Sequence, residues 1–148
     1  MKKYLSFALA AALSAAFCAT AFAAEDNRQV EVKTHIDPTY TVTIPANTTV
    51  GFGDVDTSFG AIKLTAAQLD PGKSVNVTLK SSGTLKNKND TSKMLAYTIR
   101  SGESAFTSAS YKKAGESTAL TIHIEKDDWA KAYAGDYTDT VEFTISYK

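Results

Sequence analysis

The residue types that could perform catalysis or bind a metal are few and widely spaced. The chain has two histidines, His35 and His123, and its one cysteine, Cys18, falls in an N-terminal apolar run. Zinc needs three or four nitrogen or sulfur ligands at suitable spacing. A serine hydrolase commonly presents its nucleophile on a G-x-S-x-G turn, which this sequence lacks. We therefore predict no catalytic residue, no metal site, no cofactor and no enzymatic activity.

The histidine His123 alternates with apolar neighbours in a predicted strand, so we expect it on the solvent face beside Glu125. Calcium remains an open alternative, because carboxylates cluster in predicted loops. Calcium takes six to eight oxygen ligands, but aspartate is also a common turn and cap residue. We interpret these carboxylates as turn residues, namely Asp54, Asp56, Asp127, Asp128, Asp136 and Asp139.

An aromatic group near the C-terminal end suggests a possible ligand platform. Trp129, Tyr133 and Tyr137 are closely spaced, and flat aromatic faces can bind sugar rings. The other interpretation is that Trp129 closes one end of the core and Tyr137 anchors a strand, since burying large aromatic surfaces is strongly favourable. Core packing is the preferred interpretation, and a glycan ligand is the alternative.

The first residues have the pattern of a secretory signal peptide. Lys2 and Lys3 precede an apolar run, and residues 21–23 supply the small-x-small cleavage site. We predict a signal peptide over residues 1–23 and one domain over residues 24–148. The mature protein is therefore expected to be secreted or extracytoplasmic, at a cell surface or in a periplasm, without inserting into a membrane.

The charge balance argues against a polyanionic partner. The chain has 16 basic and 16 acidic residues, and removal of the signal takes two lysines and no acid, so the mature net charge is −2. Such a balance gives no electrostatic reason to bind nucleic acid or an anionic membrane. With no cysteine left, the mature domain must be held together by its core rather than by disulfides.

The elements that must position any site are short strands. From Tyr137 through Tyr147 apolar and polar residues alternate, with Asp139 as the exception, which is typical of a strand with one buried face. The same period recurs upstream, and turn residues such as those at 70–73 separate the runs. One or two helical turns are predicted over residues 127–133. The pattern predicts an all-β, antiparallel, immunoglobulin-like β-sandwich of seven to nine strands.

Two segments resemble known bacterial modules. Residues 69–79 (LDPGKSVNVTL) resemble a strand entry common in secreted bacterial immunoglobulin-like domains. Residues 134–145 (AGDYTDTVEFTI) are similar to the closing strand of spore-coat-U-like and related fibre or surface subunits. This resemblance implies a structural or adhesive role at the cell surface without a catalytic centre.

One alternating segment near the N-terminus has two possible roles. Residues 29–36 alternate in the manner of a strand, and Asp37-Pro38 separates them from the next run. They could form the first strand of their own sandwich. Alternatively, they could complete an open sheet edge of a neighbouring copy, because an added strand gains main-chain hydrogen bonds and side-chain pockets. The inserted residues would be Val30, Val32, Thr34 and Ile36.

The sequence therefore predicts a secreted bacterial surface, matrix or fibre subunit. Its partners would be copies of itself or other surface proteins, which it would contact through sheet edges or strand exchange. The alternative is a small carbohydrate-binding module that uses Trp129 and the nearby tyrosines. Concentration-dependent association is expected of the first, and a change in tryptophan fluorescence with a glycan is expected of the second.

Overall fold

The computed structural model describes residues 28–148, and the predicted signal peptide lies outside that range. The chain divides into two units at the junction of Thr34 and His35. The second unit holds all the described strands and one short helix. In chain order these are β1 (Thr39–Thr43), β2 (Asp56–Gln68), β3 (Val75–Lys80), β4 (Thr84–Asn87), β5 (Met94–Ala96), β6 (Thr98–Ser101), β7 (Ser104–Ala105), β8 (Ser108–Tyr111), β9 (Ser117–His123), α1 (Lys126–Lys131), β10 (Tyr137–Thr138) and β11 (Glu142–Tyr147).

The prediction of an all-β, antiparallel fold is confirmed. The strands form a five-stranded sheet of order β1-β2-β9-β6-β7 and two three-stranded sheets, of orders β11-β3-β8 and β10-β4-β5. All pairs are antiparallel. Eleven strands are described rather than seven to nine, because two long runs are each interrupted and two strands have only two residues.

The two small sheets continue one another in a single layer. Only residues 81–83 separate β3 from β4, and only residues 139–141 separate β10 from β11. The pairs β3–β11 and β4–β10 therefore form one interrupted ribbon. This ribbon and the five-stranded sheet enclose one hydrophobic core. The buried apolar residues are Ile62, Leu64, Val75, Val77, Leu95, Tyr97, Ile99, Phe106, Tyr111, Leu120, Ile122 and Ile124.

Strand β2 contains two irregularities, and each shifts the alternation of inward- and outward-facing side chains by one residue. Its pairing with β9 shifts between Ser58 and Gly60, and Gly60 has φ of 102°. A glycine adopts this backbone conformation without steric cost. The extra residue lets Phe59 and Ile62 both face the core although they are three positions apart. A second shift opposite β1 does the same for Leu64 and Ala67.

The segment before β1 forms neither helix nor strand over residues 28–38. The alternating residues 29–36 are thus outside the paired strands of the described chain. A lone strand has no partner for its main-chain donors and acceptors, so alternation by itself cannot hold it extended. Within residues 28–148 no helix has both the length and the apolar character needed to span a bilayer.

Candidate functional site

The candidate site is the free edge of β11. Within residues 28–148, β11 pairs with β3 and with no other strand. The register places Tyr147 opposite Val75, Ile145 opposite Val77 and Phe143 opposite Leu79. Such an edge presents unpaired main-chain groups that can template another strand.

The main-chain hydrogen bonding shows which residues face that edge. Lys148 and Ser74 exchange two backbone hydrogen bonds, with N···O distances of 2.8 and 3.0 Å. In an antiparallel ladder such hydrogen-bonded pairs alternate with pairs that are not hydrogen-bonded. Residues 146, 144 and 142 therefore bond to β3, while Phe143, Ile145 and Tyr147 direct their N–H and C=O groups away from it.

The same three residues carry the inward-facing side chains of β11. The Phe143 ring packs on Phe59 of β2 with centroids 6.2 Å apart, and the Tyr147 ring stacks on Tyr40 of β1 with centroids 5.9 Å apart. Ile145 lies between these ring contacts and remains 39% exposed. An aliphatic side chain on a core-facing position is thus incompletely covered.

Strand β1 is the matching edge of the opposite sheet. It pairs only with β2 among the described strands, and its alternation places Tyr40, Val42 and Ile44 on one face. Tyr40 is 39% and Ile44 43% exposed. Because Tyr40 stacks on Tyr147, both free edges lie on the same side of the sandwich. We call this surface the β1–β11 edge; it consists of Tyr40, Val42, Ile44, Val141, Phe143, Ile145 and Tyr147.

The predicted partner-strand residues are exposed. Val30, Val32 and Ile36 are 84%, 93% and 59% exposed, and Thr34 is exposed as well. The polar positions between them alternate in charge: Glu31 and Lys33 form an ion pair at 2.9 Å, both in solvent. Residues 29–36 thus leave both their apolar and their charged side chains in solvent.

The predicted ligand-platform residues do not form one open face. The Trp129 indole N–H donates to the carbonyl of Asp54 at 2.9 Å, and its ring meets Phe52 edge-on at 5.5 Å. The Tyr137 hydroxyl bonds the backbone of Tyr133, and both Trp129 and Tyr137 pack against the core. Tyr133 is 62% exposed, and the Lys93 ammonium lies 4.5 Å from its ring centroid.

The expectation of a solvent-exposed His123 is wrong, since this residue is 8% exposed. Its Nδ1 lies 2.7 Å from Asp56 of the neighbouring strand, and its Nε2 lies 3.0 Å from Glu125. Arg100 contacts the same Glu125 carboxylate at 3.4 Å. The Asp56 carboxylate, assisted by Glu125, raises the pKa of His123 above 6.5. This cluster joins β2, β9 and β6 on the outer face of their sheet.

A polar cluster that the sequence did not reveal bridges the interruption of the ribbon. The Tyr97 hydroxyl donates to Asp139 at 2.7 Å and lies 2.7 Å from Ser81, while Ser82 donates to Asp139 at 2.7 Å. Burial raises the pKa of Tyr97 to about 12. Although partial burial acts to raise the pKa of Asp139, the hydrogen bonds from Tyr97 and Ser82 hold it below 3.8.

Of the six aspartates interpreted as turn residues, Asp56 instead lies in β2, and Asp127 and Asp128 lie in the first turn of α1. Asp90 accepts hydrogen bonds from Ser92, and Asp136, just before β10, pairs at 3.7 Å with Lys88, just after β4. In the part of the chain that the structure describes, no three His, Cys, Asp or Glu side chains converge as a metal site would require.

Fold and edge together define a class: an antiparallel β-sandwich with one open apolar edge. No protein-family model and no curated protein matches the sequence. Among solved structures, the chain is similar to one from a structure described as a chaperone-tip adhesin complex in CFA/I fimbriae biogenesis. Identity is 15%, the TM-score is 0.44, and the similarity covers 80% of this chain and 40% of that one. The fold assignment rests on the strand pairing above.

Proposed function

We propose that the protein is a secreted structural or adhesive subunit of a bacterial surface, matrix or fibre, and that copies associate through the β1–β11 edge. The observation that carries this proposal is the free edge of β11. There Phe143, Ile145 and Tyr147 present unpaired main-chain groups and, at Ile145, an incompletely covered apolar side chain. The proposal assigns the protein no catalytic activity.

An added strand would satisfy both features of this edge. Its N–H and C=O groups would bond the outward-directed groups of β11, and alternate side chains would cover Ile145 and Ile44. Each hydrogen bond contributes on the order of 1 kcal/mol, and burying apolar surface adds roughly 25 cal/mol per Å². The exposed alternating residues 29–36 supply the matching strand, and a second copy supplies it in trans.

The test is association of the chain from Ala24 measured by light scattering over a range of concentrations. Ile145→Asn should reduce association, because it places an amide on the inward side of the edge. Thr144→Asn is the matched control, since it lies on the same strand but faces solvent. Near-ultraviolet circular dichroism establishes that both variants are folded. Equal association of the two variants would contradict the proposal.

The role of the N-terminal segment is tested by a chain that begins at Asp37. It should stay folded and monomeric while the longer chain assembles. If the longer chain is monomeric at every concentration and the shorter one unfolds, residues 24–36 form part of the folded domain of their own chain. The assembly proposal then fails.

A carbohydrate-binding role is the second candidate, and the exposed aromatic rings around α1 are the observation that favours it. Phe52 is 88% exposed beside Trp129, and Tyr133 is 62% exposed. A glycan that stacks on these rings would change the emission of Trp129, the single tryptophan in the chain. A monomeric protein whose fluorescence responds to a glycan array would favour this role over assembly.

A further inference from the structure

We propose that the chain cleaves its own backbone between Asp37 and Pro38 in mild acid, with the Asp37 carboxylate as the nucleophile and His35 as the proton donor. Each chain reacts once, and no separate substrate is turned over. The inference goes beyond the proposed function and does not depend on it, because the reaction takes place within one chain. Cleavage separates the preceding segment from the strands that begin with β1 at Thr39.

The chemistry belongs to an aspartate that precedes a proline. The side-chain carboxylate can attack the carbonyl carbon of its own residue and close a five-membered ring, and such an intramolecular attack has a large entropic advantage. The peptide bond then breaks only if the departing nitrogen takes up a proton. A proline nitrogen carries no hydrogen in the chain, and as the nitrogen of a tertiary amide it is more basic than other peptide nitrogens. An Asp-Pro bond is therefore intrinsically acid-labile.

His35 is placed to supply the proton. Its Nε2 lies 3.0 Å from Oδ1 of Asp37, and the two side chains are 84% and 86% exposed. In water an imidazolium and a carboxylate coexist between roughly pH 4 and 6, so a proton donor and a nucleophile are present together in that window. The two charged residues that precede them, Glu31 and Lys33, form an ion pair with each other at 2.9 Å.

The backbone around the bond allows the ring to close. Residues 28–38 form neither helix nor strand, and residues 35–38 are exposed. Ring closure requires only rotations within Asp37, and no ladder hydrogen bond of a helix or strand has to break for it. Water also reaches the bond, which the second half of the reaction needs.

The reaction balances with water as the only co-reactant. The Asp37 carboxylate forms a C–O bond to its own carbonyl carbon, the C–N bond to Pro38 breaks, and the proton of His35 goes to the departing nitrogen. Water then opens the cyclic anhydride to two carboxylates and releases two protons. One proton returns to His35 and the other goes to the new amino terminus. Nothing is oxidised or reduced, and the products are a chain that ends at Asp37 and a chain that begins at Pro38.

The fold protects a second Asp-Pro bond in the same chain, the one between Asp70 and Pro71. The Asp70 carboxylate accepts a hydrogen bond from the Tyr147 hydroxyl at 2.9 Å, and the Asp70 carbonyl accepts from the Lys73 N–H at 3.0 Å. Both groups that would have to react are thus fixed in a turn. This bond should stay intact while the protein is folded, so it serves as an internal control.

The first test is the intact mass of the purified chain from Ala24 after incubation at about pH 5. Fragments 24–37 and 38–148 should accumulate at a first-order rate that does not change with protein concentration, while the bond between Asp70 and Pro71 remains whole. Asp37→Asn removes the nucleophile and should abolish cleavage. An uncleaved chain, cleavage that slows on dilution, or cleavage that persists in Asp37→Asn would overturn the inference.

The second test isolates the histidine. His35→Gln changes residues 35–38 from HIDP to QIDP, which matches the QLDP of residues 68–71. At about pH 5 the rate should fall about tenfold, less than general acid catalysis contributes in a preorganised site because this pair is exposed. The rate maximum of the unaltered chain in the mildly acidic window should also disappear, leaving a rate that only increases with acidity. An unchanged rate and pH profile would show that His35 takes no part.

The third test compares the two bonds in urea. Unfolding releases Asp70 from its turn, so the bond to Pro71 should now be cleaved as well. The bond between Asp37 and Pro38 should still be cleaved faster, because His35 is only two positions from Asp37 and remains near it in an unfolded chain. Equal rates at the two bonds in urea would contradict the role of His35, and cleavage of both bonds at equal rates in the folded protein would contradict the protection of Asp70.

Discussion

The turn before β10 offers a quantitative test of the packing, through substitution of Gly135 by alanine. Gly135 has φ of 136°, and a Cβ built there would lie 2.6 Å from the side-chain nitrogen of Asn87. Asn87 is 3% exposed; its amide donates to the carbonyl of Ala134, and its Oδ1 accepts from the N–H groups of residues 89 and 90. The added methyl therefore strains the backbone and displaces a hydrogen-bonded side chain.

The expected magnitude follows from these two costs. An L-residue in a left-handed conformation loses about 1–2 kcal/mol, partly offset because alanine also restricts the unfolded chain. Moving the Asn87 amide weakens three hydrogen bonds, which adds about 2 kcal/mol. Gly135→Ala should thus reduce the free energy of unfolding by about 3 kcal/mol. Gly115→Ala is the control, because its φ is 94° with no atom within 4 Å of a Cβ; it should cost about 1 kcal/mol.

Urea unfolding followed by Trp129 fluorescence measures both variants. A double-mutant cycle with Asn87→Ala isolates the contact, since without the amide Gly135→Ala should cost only the backbone portion, about 1 kcal/mol. If Gly135→Ala costs the same with and without Asn87, or no more than Gly115→Ala, then the close approach to Asn87 contributes nothing and the reasoning is refuted.

Three further predictions concern the polar clusters. Because the pKa of His123 is raised in the folded protein, its stabilising contribution is complete below pH 6.5 and is lost as the pH rises through the folded-state pKa. Urea unfolding should therefore show a free energy of unfolding that decreases from roughly pH 6 to 8, with a flatter pH profile for His123→Gln. Identical profiles for the two proteins would contradict this prediction. Because its pKa is raised to about 12, Tyr97 should remain protonated in an ultraviolet titration after tyrosines of ordinary pKa have ionised. The free energy of unfolding should also fall between pH 10 and pH 12. Ionisation of all tyrosines in one step would contradict this prediction. Tyr97→Phe should lower the free energy of unfolding by about 1–2 kcal/mol, because Asp139 and Ser81 each lose a partner, whereas an unchanged value would show that water replaces the hydroxyl without cost.

The strands that follow a strict period of two were predictable from sequence. The alternation through β11, β3 and β9 gave both their existence and their inward faces, and Leu120, Ile122, Val75 and Val77 are buried as that pattern requires. Strand β2 does not follow a single period of two, because the bulge between Ser58 and Gly60 shifts the inward position from Phe59 to Ile62. Alternation breaks at an inserted residue, so a sequence pattern does not show that the residues before and after it belong to one strand.

For the β1–β11 edge, the sequence predicted the inward-facing residues but not the free edge itself. Alternation identified Phe143, Ile145 and Tyr147 as core-facing, but whether a strand lies beside them depends on strand order, which no local pattern encodes. His123 illustrates the same limit. Its outward direction was correctly expected, but its burial depends on Asp56, which lies in a strand far away in sequence and pairs directly opposite.

The pairing of β3 with β11 also bears on how fast the chain can fold. Val75 pairs with Tyr147, and in the other layer Asp56 pairs with His123, so both layers close through contacts between distant parts of the chain. Loop closure must precede the gain from such contacts, and folds dominated by them form in milliseconds to seconds rather than microseconds. The edge of β3 that pairs with β11 therefore stays unpaired until residues 142–147 have been synthesised, although β8 can already pair with the other edge of β3.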